Sequence, residues 1–526
     1  MSYSNGINAS AATLTKNRTP GNVCSSSGLC ATCIDGCPGL CEVGKSAYRG
    51  RELIYPQPFG STTSASQKEY PVDLSHLNIM GTAVGAHGIE ADSDKATFPA
   101  VNLETEIGST NTIKLKLPIV IPGLGSTQVA KDNWEGLAIG AAISGIVLTI
   151  GENVCGMDPD GEIKNGRVVK SPDMARRVKL FQEWYNGYGA IVVQFNVEDT
   201  RLGVAEYVIN ELGVEAVEIK WGQGAKDIGG EVKLPSLERA QQLKSRGYIV
   251  FPDPENTNVQ QSYAQGSVKE FERHSRIGMV DEESFMARVA ELRSLGAKHV
   301  MLKTGAYRPA DLARAVKFAS LAKIDLLTID GAGGGTGMSP WRMMNEWGVP
   351  TVYLESLLYQ YMERIKAKGM YVPKVAVAGG FSLEDHMYKG LALAAPYVKA
   401  IGMARAPLAA AMVGKTIGNY VKEGKVPADI AKRYGNTVEQ IFTANTALKQ
   451  QYGEDAARIP ATAMGVYTYF DRLAVGLQQL MCGARKFSLD YITRDDLASI
   501  TREAADVTGI PYIMDLDAEE VEKILG

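Results

Sequence analysis

The sequence has no apolar run of the roughly 18–20 residues that a membrane span needs. The best candidate, Leu137 to Ile150, is shorter and reads as a buried helix running into a strand. Positive charge is not in excess: 55 Lys and Arg stand against 59 Asp and Glu, a net charge of −4. That balance argues against nucleic acid or a polybasic membrane surface as partner, since both need a positive field. Histidine is scarce, and its five copies (76, 87, 274, 299 and 386) show no metal-ligand spacing. The first 20 residues lack the apolar core of a signal peptide, so the expected location is cytoplasmic. Cysteine is nearly absent outside one short stretch. Cys155 and Cys482 stand alone, while Cys24, Cys30, Cys33, Cys37 and Cys41 lie together. Clustering of that kind in a long chain reads as metal binding and excludes a disulfide framework.

What is present is ordinary for a globular chain: 45% apolar and 22% charged residues over 526 positions. That length holds one barrel of about 250 residues or more, with appendages. Three zones follow. Residues 1–70 are loop-rich and carry the cysteine cluster. Residues 71–425 alternate short β-branched runs with amphipathic stretches. Residues 426–526 lose the strand signal and read as helices, among them Val466 to Cys482 and Thr493 to Val507, which either pack on the middle zone or form an interface in an oligomer.

The middle zone sets the fold. Candidate strands are Leu117–Ile121, Ile146–Ile150, Ala190–Phe195, Ala216–Lys220, Tyr248–Phe251, His299–Lys303, Leu326–Asp330, Lys374–Ala378 and Ala400–Met403. Helical patterns such as Asp281–Gly296 and Leu354–Gly369 separate them. Continuous apolar strands alternating with helices make a parallel sheet buried on both faces. Tyr248–Phe251 runs into Pro252-Asp253-Pro254 and reads as a loop excursion. Eight strands remain, which predicts an α/β protein with a (β/α)₈ TIM barrel, an N-terminal Cys-rich segment and a C-terminal helical extension.

In such barrels the chemistry sits where strands end, with phosphate sites after the seventh and eighth. The seventh ends in Ala378-Gly379-Gly380 and the eighth in Gly402-Met403-Ala404-Arg405. Small residues there bare backbone N–H groups to a phosphate, and Arg405 adds charge. The sixth ends in Asp330-Gly331-Ala332-Gly333-Gly334-Gly335-Thr336-Gly337, with no Gly-Lys-Ser/Thr behind it, so it is not a P-loop. It suits a loop lying against a ring or substrate. Lys220 ends the fourth strand and Lys303 the fifth. A lysine facing inward there is costly unless it meets an anion or an electron-rich ring, and such a cation stabilises a reduced flavin. Gln223, Gly224, Ala225 and Lys226 continue the fourth-strand loop. Glu152, after the second strand, is a candidate acid/base or amine-holding group, and Gln194 near the end of the third can contact a flavin edge.

Cys30-x₂-Cys33-x₃-Cys37-Pro38 has half of a ferredoxin-type spacing, with Cys24 and Cys41 as candidates for the remaining ligand. A [4Fe–4S] cluster is expected, with zinc as the rival because four thiolates suit it too.

These strand-end loops resemble a known family. Lys220-Trp221-Gly222-Gln223-Gly224-Ala225-Lys226 resembles the lysine–glutamine–glycine–alanine–lysine loop of the glutamate synthase FMN domain. Asp330 to Pro340 is similar to its aspartate–glycine–glycine–threonine–glycine loop. Ile121 to Ala141, with Ser126, looks like its first βα unit, and Gly151-Glu152 falls at its glycine–glutamate loop. The resemblance covers residues 75–425 and implies an FMN-bearing barrel. There, reduced flavin delivers a hydride to 2-iminoglutarate, made from 2-oxoglutarate and ammonia. By matching position, Lys220, Gln223 and Lys226 would bind substrate or flavin, and Glu152 would lie near the imine. Lys303 would contact the flavin, Asp330, Gly331, Gly334 and Gly335 would line its site, and Gly379, Gly380, Gly402 and Arg405 would hold its phosphate.

Departures are visible as well. The family's glutamine-cleaving domain has no counterpart here, so ammonia would come from a separate glutaminase subunit or from solution. The family's cluster cysteines after the last strand are missing from Ala404 to Val421. The N-terminal cysteines would take their place and accept electrons from a ferredoxin or reductase. Asn153-Val154-Cys155 replaces paired glycines, and Trp221 adds bulk to the lysine loop. Two other readings compete: an electron-transfer subunit of a larger complex, and an oxidoreductase of another amino acid or N-methylamino acid. A 2-hydroxy-acid barrel would want a histidine at a strand end, and His299 begins its strand instead.

Overall fold

The computed structural model describes residues 35, 47–49, 66, 68–221, 231–335 and 339–526. All five clustered cysteines, Gln223 and Lys226 lie outside them. Eight parallel strands close into a barrel: β1 Ile119–Leu124, β2 Val147–Ile150, β3 Ala190–Phe195, β4 Ala216–Lys220, β5 His299–Thr304, β6 Leu327–Asp330, β7 Val375–Ala378 and β8 Val398–Gly402. Each pairs with its neighbour in chain order, and β8 closes on β1 with Ile401 opposite Ile119. The eight predicted strands are these eight, so the fold is the (β/α)₈ barrel.

Helices clothe the outside: α1 Gln128–Ser144, α2 Pro172–Gln182, α3 Val204–Asn210, α4 Glu282–Ser294, α5 Pro309–Leu321, α6 Thr351–Ala367, α7 Glu384–Leu393 and α8 Arg405–Glu423. Their starts follow local chemistry. The Ser171 hydroxyl accepts from Met174 N at α2, and the Asp281 carboxylate accepts from Ser284 N at α4. Each satisfies one of the donors that a helix start leaves open.

Three sequence expectations change. β1 runs on through Pro122 and Gly123, because its register with β2 shifts between Ile121 and Leu124 and so needs no N–H at the proline. Ile249–Phe251 stands outside the barrel as expected, but it is a strand. It pairs with Phe271–His274, which also pairs with Glu231–Leu234, in a small antiparallel sheet between β4 and α4. The helix expected at Thr493–Val507 is broken: Leu497–Ser499 forms a strand antiparallel to Leu77–Ile79, and only Arg502–Thr508 is α-helical. Pairing across the whole chain outweighs the local helical pattern.

The barrel interior is layered. Val120, Val147, Val192, Ala216, Met301, Leu326, Ala376 and Ala400 form its lower layer. Ile107, Ile113 and Leu115, from a hairpin of Thr105–Ile107 with Ile113–Leu115, join them and plug the N-terminal end. Ser109 of the hairpin turn donates from N and Oγ to Asp325 Oδ1, both at 2.8 Å. His299 Nδ1 lies 3.6 Å from the same carboxylate, at the plugged end and away from the strand ends that carry chemistry.

Beyond α8 the long helix α9, Ala461–Gly483, packs on α1 and α8. Glycines make that seam. A Cβ at Gly140 would lie 2.6 Å from Val466 Cβ, and one at Gly465 would lie 3.0 Å from Gly414 Cα. The C-terminal extension is therefore packed on the barrel.

Candidate active site

Above the apolar layer the barrel interior turns polar. Gln194, Glu218, Lys220, Lys303, Thr328 and Asp330 are all buried. Strand alternation sends Glu218 and Lys220 to the same side of β4, and register sets Lys303 beside Lys220. The site is then two ion pairs with a carboxyl between them. Lys220 Nζ donates to Glu152 Oε1 at 2.9 Å, joining the end of β4 to the loop after β2. Lys303 Nζ stands 3.0 Å from Asp330 Oδ2, joining β5 to β6. One layer lower, Gln194 Nε2 donates to Glu218 Oε1.

Charges follow from this packing. Burial works against ionised Glu152, but Lys220 and Lys303 outweigh it and hold its carboxyl below the ordinary range. Burial likewise favours neutral Lys303, yet Asp330 and Glu218 raise its affinity for the proton. Glu218 goes the other way. Burial pushes its carboxyl up, and Lys303 and the Gln194 hydrogen bond offset only part of that. The mouth therefore offers fixed charges of both signs around a carboxyl that holds its proton more tightly than usual.

The glycine turns lie beside these pairs. Gly379 and Gly380 have φ of 117° and 109°, a region that side chains avoid. The Thr351 hydroxyl, at the start of α6, donates to Gly379 O at 2.6 Å. A Cβ at Gly331 would lie 2.2 Å from that hydroxyl, and one at Gly334 2.8 Å from Asp330 Oδ1. Gly333, Gly379, Gly380, Thr351, Lys68 and Tyr70 line a cavity of about 280 Å³. Gly402 ends β8, where a Cβ would meet Ala378 Cβ at 2.7 Å. Arg405 is exposed in the first turn of α8, Ser126 is half-buried in the turn after β1, and Gly335 is half-buried in the β6 turn.

The structure thus pairs Glu152 with Lys220 and Lys303 with Asp330, and sets Gly331 against Gly379. Trp221 does not intrude: it is buried with its ring edge-on to Phe285 and Phe318, behind the barrel wall. Two site residues were missed. For Glu218 the one available signal was its place two residues before Lys220 on the same strand, which puts both on one face. Asp199, which holds the loop after Glu152, had no sequence signal beyond a polar residue early in a helix.

Residues 272–416 match the family described as the conserved region in glutamate synthase. That span holds Lys303, Asp330, both glycine turns and Arg405. Similar solved structures include a mutant flavocytochrome b2 with pyruvate bound. It is 13% identical over 86% of this chain and 82% of that chain, with a TM-score of 0.46. A soluble mutant of the membrane-associated (S)-mandelate dehydrogenase from Pseudomonas putida is 13% identical over 81% and 88%, at 0.42. An IMP dehydrogenase/GMP reductase-like protein from Corynebacterium glutamicum is 11% identical over 81% and 93%, at 0.39. No curated protein matches the sequence. From residue 272 to residue 416, then, the chain is similar to the conserved region of glutamate synthase.

Proposed function

We propose that the barrel binds FMN and works as a glutamate-synthase-type oxidoreductase on a 2-imino acid. The observation that carries this reading is the pair of lysine–carboxylate bridges, both lysines buried, beside glycine turns at one barrel mouth. The turns suit a phosphate and ring: Gly331 and Gly379 let the two turns pack closely against Thr351, and Gly380, where an added Cβ would meet Gly333 no closer than 3.9 Å, bares its backbone to the cavity. Lys303 would meet the electron-rich edge of the ring. Bound FMN, when reduced, supplies the hydride. Lys220 would hold a substrate carboxylate and Glu152 the imino nitrogen, with Gln223 and Lys226 on the same loop. For 2-iminoglutarate the product is glutamate.

Electrons would enter through an iron–sulfur cluster held by four of Cys24, Cys30, Cys33, Cys37 and Cys41. The spacing through Cys37-Pro38 supports this. A ferredoxin or reductase would feed the cluster, and a separate glutaminase would supply ammonia. The lysine–glutamate pair favours an enzyme over a pure electron relay, which needs no polar pocket.

The test begins with protein purified without oxygen. Denaturation should release equimolar FMN, and the protein should contain iron. Photoreduced protein should reoxidise on mixing with 2-oxoglutarate and ammonium. Reoxidation by a different imino acid only would keep the chemistry and change the substrate. A colourless, zinc-containing protein would sink the proposal.

A further inference from the structure

Glu152 is followed by a buried residue in an unusual conformation. Asn153 has φ 66° and ψ 8°, the left-handed region, although it is not glycine. Its side-chain oxygen does not explain this, since Asn153 Oδ1 has no partner among the described residues. The backbone does. Asn153 N donates to both oxygens of Asp199, at 3.1 and 2.9 Å. Asp199 is itself fixed: it is 1% exposed, and its amide donates to the Asn196 side chain at 3.1 Å in a capping box after β3.

The other side of the same peptide is also held. A Cβ at Gly125 would lie 2.4 Å from Glu152 O, so the carbonyl rests against the bare backbone of the turn after β1. The peptide joining Glu152 to Asn153 is thus gripped at its N–H by Asp199 and at its C=O by Gly125. That plane sets where the Glu152 side chain leaves the backbone, and therefore whether its carboxylate reaches Lys220.

We propose that Asp199 is a positioning residue, which holds the Glu152–Asn153 peptide so that Glu152 meets Lys220 at the barrel mouth. It touches neither substrate nor cofactor. The groups facing it are charged or titratable: Glu152, Arg273, Cys155 and Tyr248. Arg273 is fully buried, and its guanidinium lies 5.0 Å over the Tyr248 ring. It supplies positive charge behind the carboxylate. As a claim about catalysis the inference rests on the proposed role of Glu152 and Lys220. As a claim about geometry it does not.

The experiment separates the two. Competitive acetylation with peptide mapping reads the reactivity of each lysine in the full-length protein, with or without turnover. In the wild type Lys220 should react slowly. In Asp199→Ala its rate should rise at least threefold, toward that of Glu152→Gln, while Lys303 stays slow under Asp330. Asp199→Asn keeps one acceptor oxygen and should fall nearer the wild type. Gly125→Ala pushes the carbonyl from the other side and should also raise Lys220 reactivity, which keeps the test open if Asp199→Ala does not fold. Unchanged Lys220 reactivity in the folded variants overturns the proposal, and so does an equal rise at Lys220 and Lys303, which would mean general loosening. If the wild type turns over, Asp199→Ala should lose at least tenfold in kcat with its FMN content unchanged. If it reduces no imino acid, the functional reading fails while the lysine reactivities still decide the geometry.

Discussion

Lys303 and Asp330 bridge adjacent strands at 3.0 Å, with both side chains less than a tenth exposed. Breaking such a pair leaves an uncompensated buried charge, at a cost of about 3–5 kcal/mol. Lys303→Met should therefore destabilise the barrel by roughly that amount in denaturant unfolding. Asp330→Asn added to Lys303→Met should recover most of it. If the single variant loses no stability, the pair is not sealed as described.

The Gly379 turn gives a second prediction. Alanine there would have to adopt φ 117° and place its Cβ 2.6 Å from Thr351 Oγ1. Gly379→Ala should be purified with little bound FMN. Thr351→Val removes the hydroxyl that donates to Gly379 O and should cost about 1 kcal/mol. Full FMN occupancy in Gly379→Ala would move the phosphate site elsewhere.

A third concerns pH. Burial, with the Glu152 charge adding to it, outweighs the Asn153 amide and pushes the Asp199 carboxyl up to about 7. Between the ordinary carboxylate range and that value, the folded state binds the proton that the unfolded state has lost. Stability from this group is thus greatest at acidic pH and falls as pH rises toward about 7, by roughly 1 kcal/mol per pH unit at most, then levels off. Asp199→Asn should lack that slope. Thermal unfolding of both proteins from pH 5 to about 8 measures the difference, and parallel curves would refute it.

The helix seam gives a fourth. Gly140→Leu would force a branched side chain into the space of Val466. Overpacking of this kind costs about 1–3 kcal/mol. The variant should melt at a lower temperature than Gly424→Ala, where an added Cβ meets nothing among the described residues within 4 Å but the residue is left-handed. A smaller effect at Gly140 than at Gly424 would show that α9 packs loosely.

The barrel was legible because its strands are buried on both faces and so read as short apolar runs that helices separate. Lys220 and Lys303 were legible as charges where such runs end. The partners were not. Glu152 and Lys220 are 68 residues apart in sequence, and nothing local links them. Glu218 looked like one more charge on a strand until the closed barrel turned it inward beside Gln194. Asp199 was hidden more deeply, since its role is to hold a backbone amide and no side-chain motif records that. Thr493–Val507 misled because its helical spacing is real, while the pairing of Leu497–Ser499 comes from the far end of the chain.

That pairing bears on how the molecule is made. Leu77–Ile79 precedes the whole barrel and Leu497–Ser499 follows it, and α9, which seals α1, also arrives late in the chain. During synthesis the eight strands emerge before either clasp exists. The glycine faces of α1 and α8 are thus covered last as the chain is made.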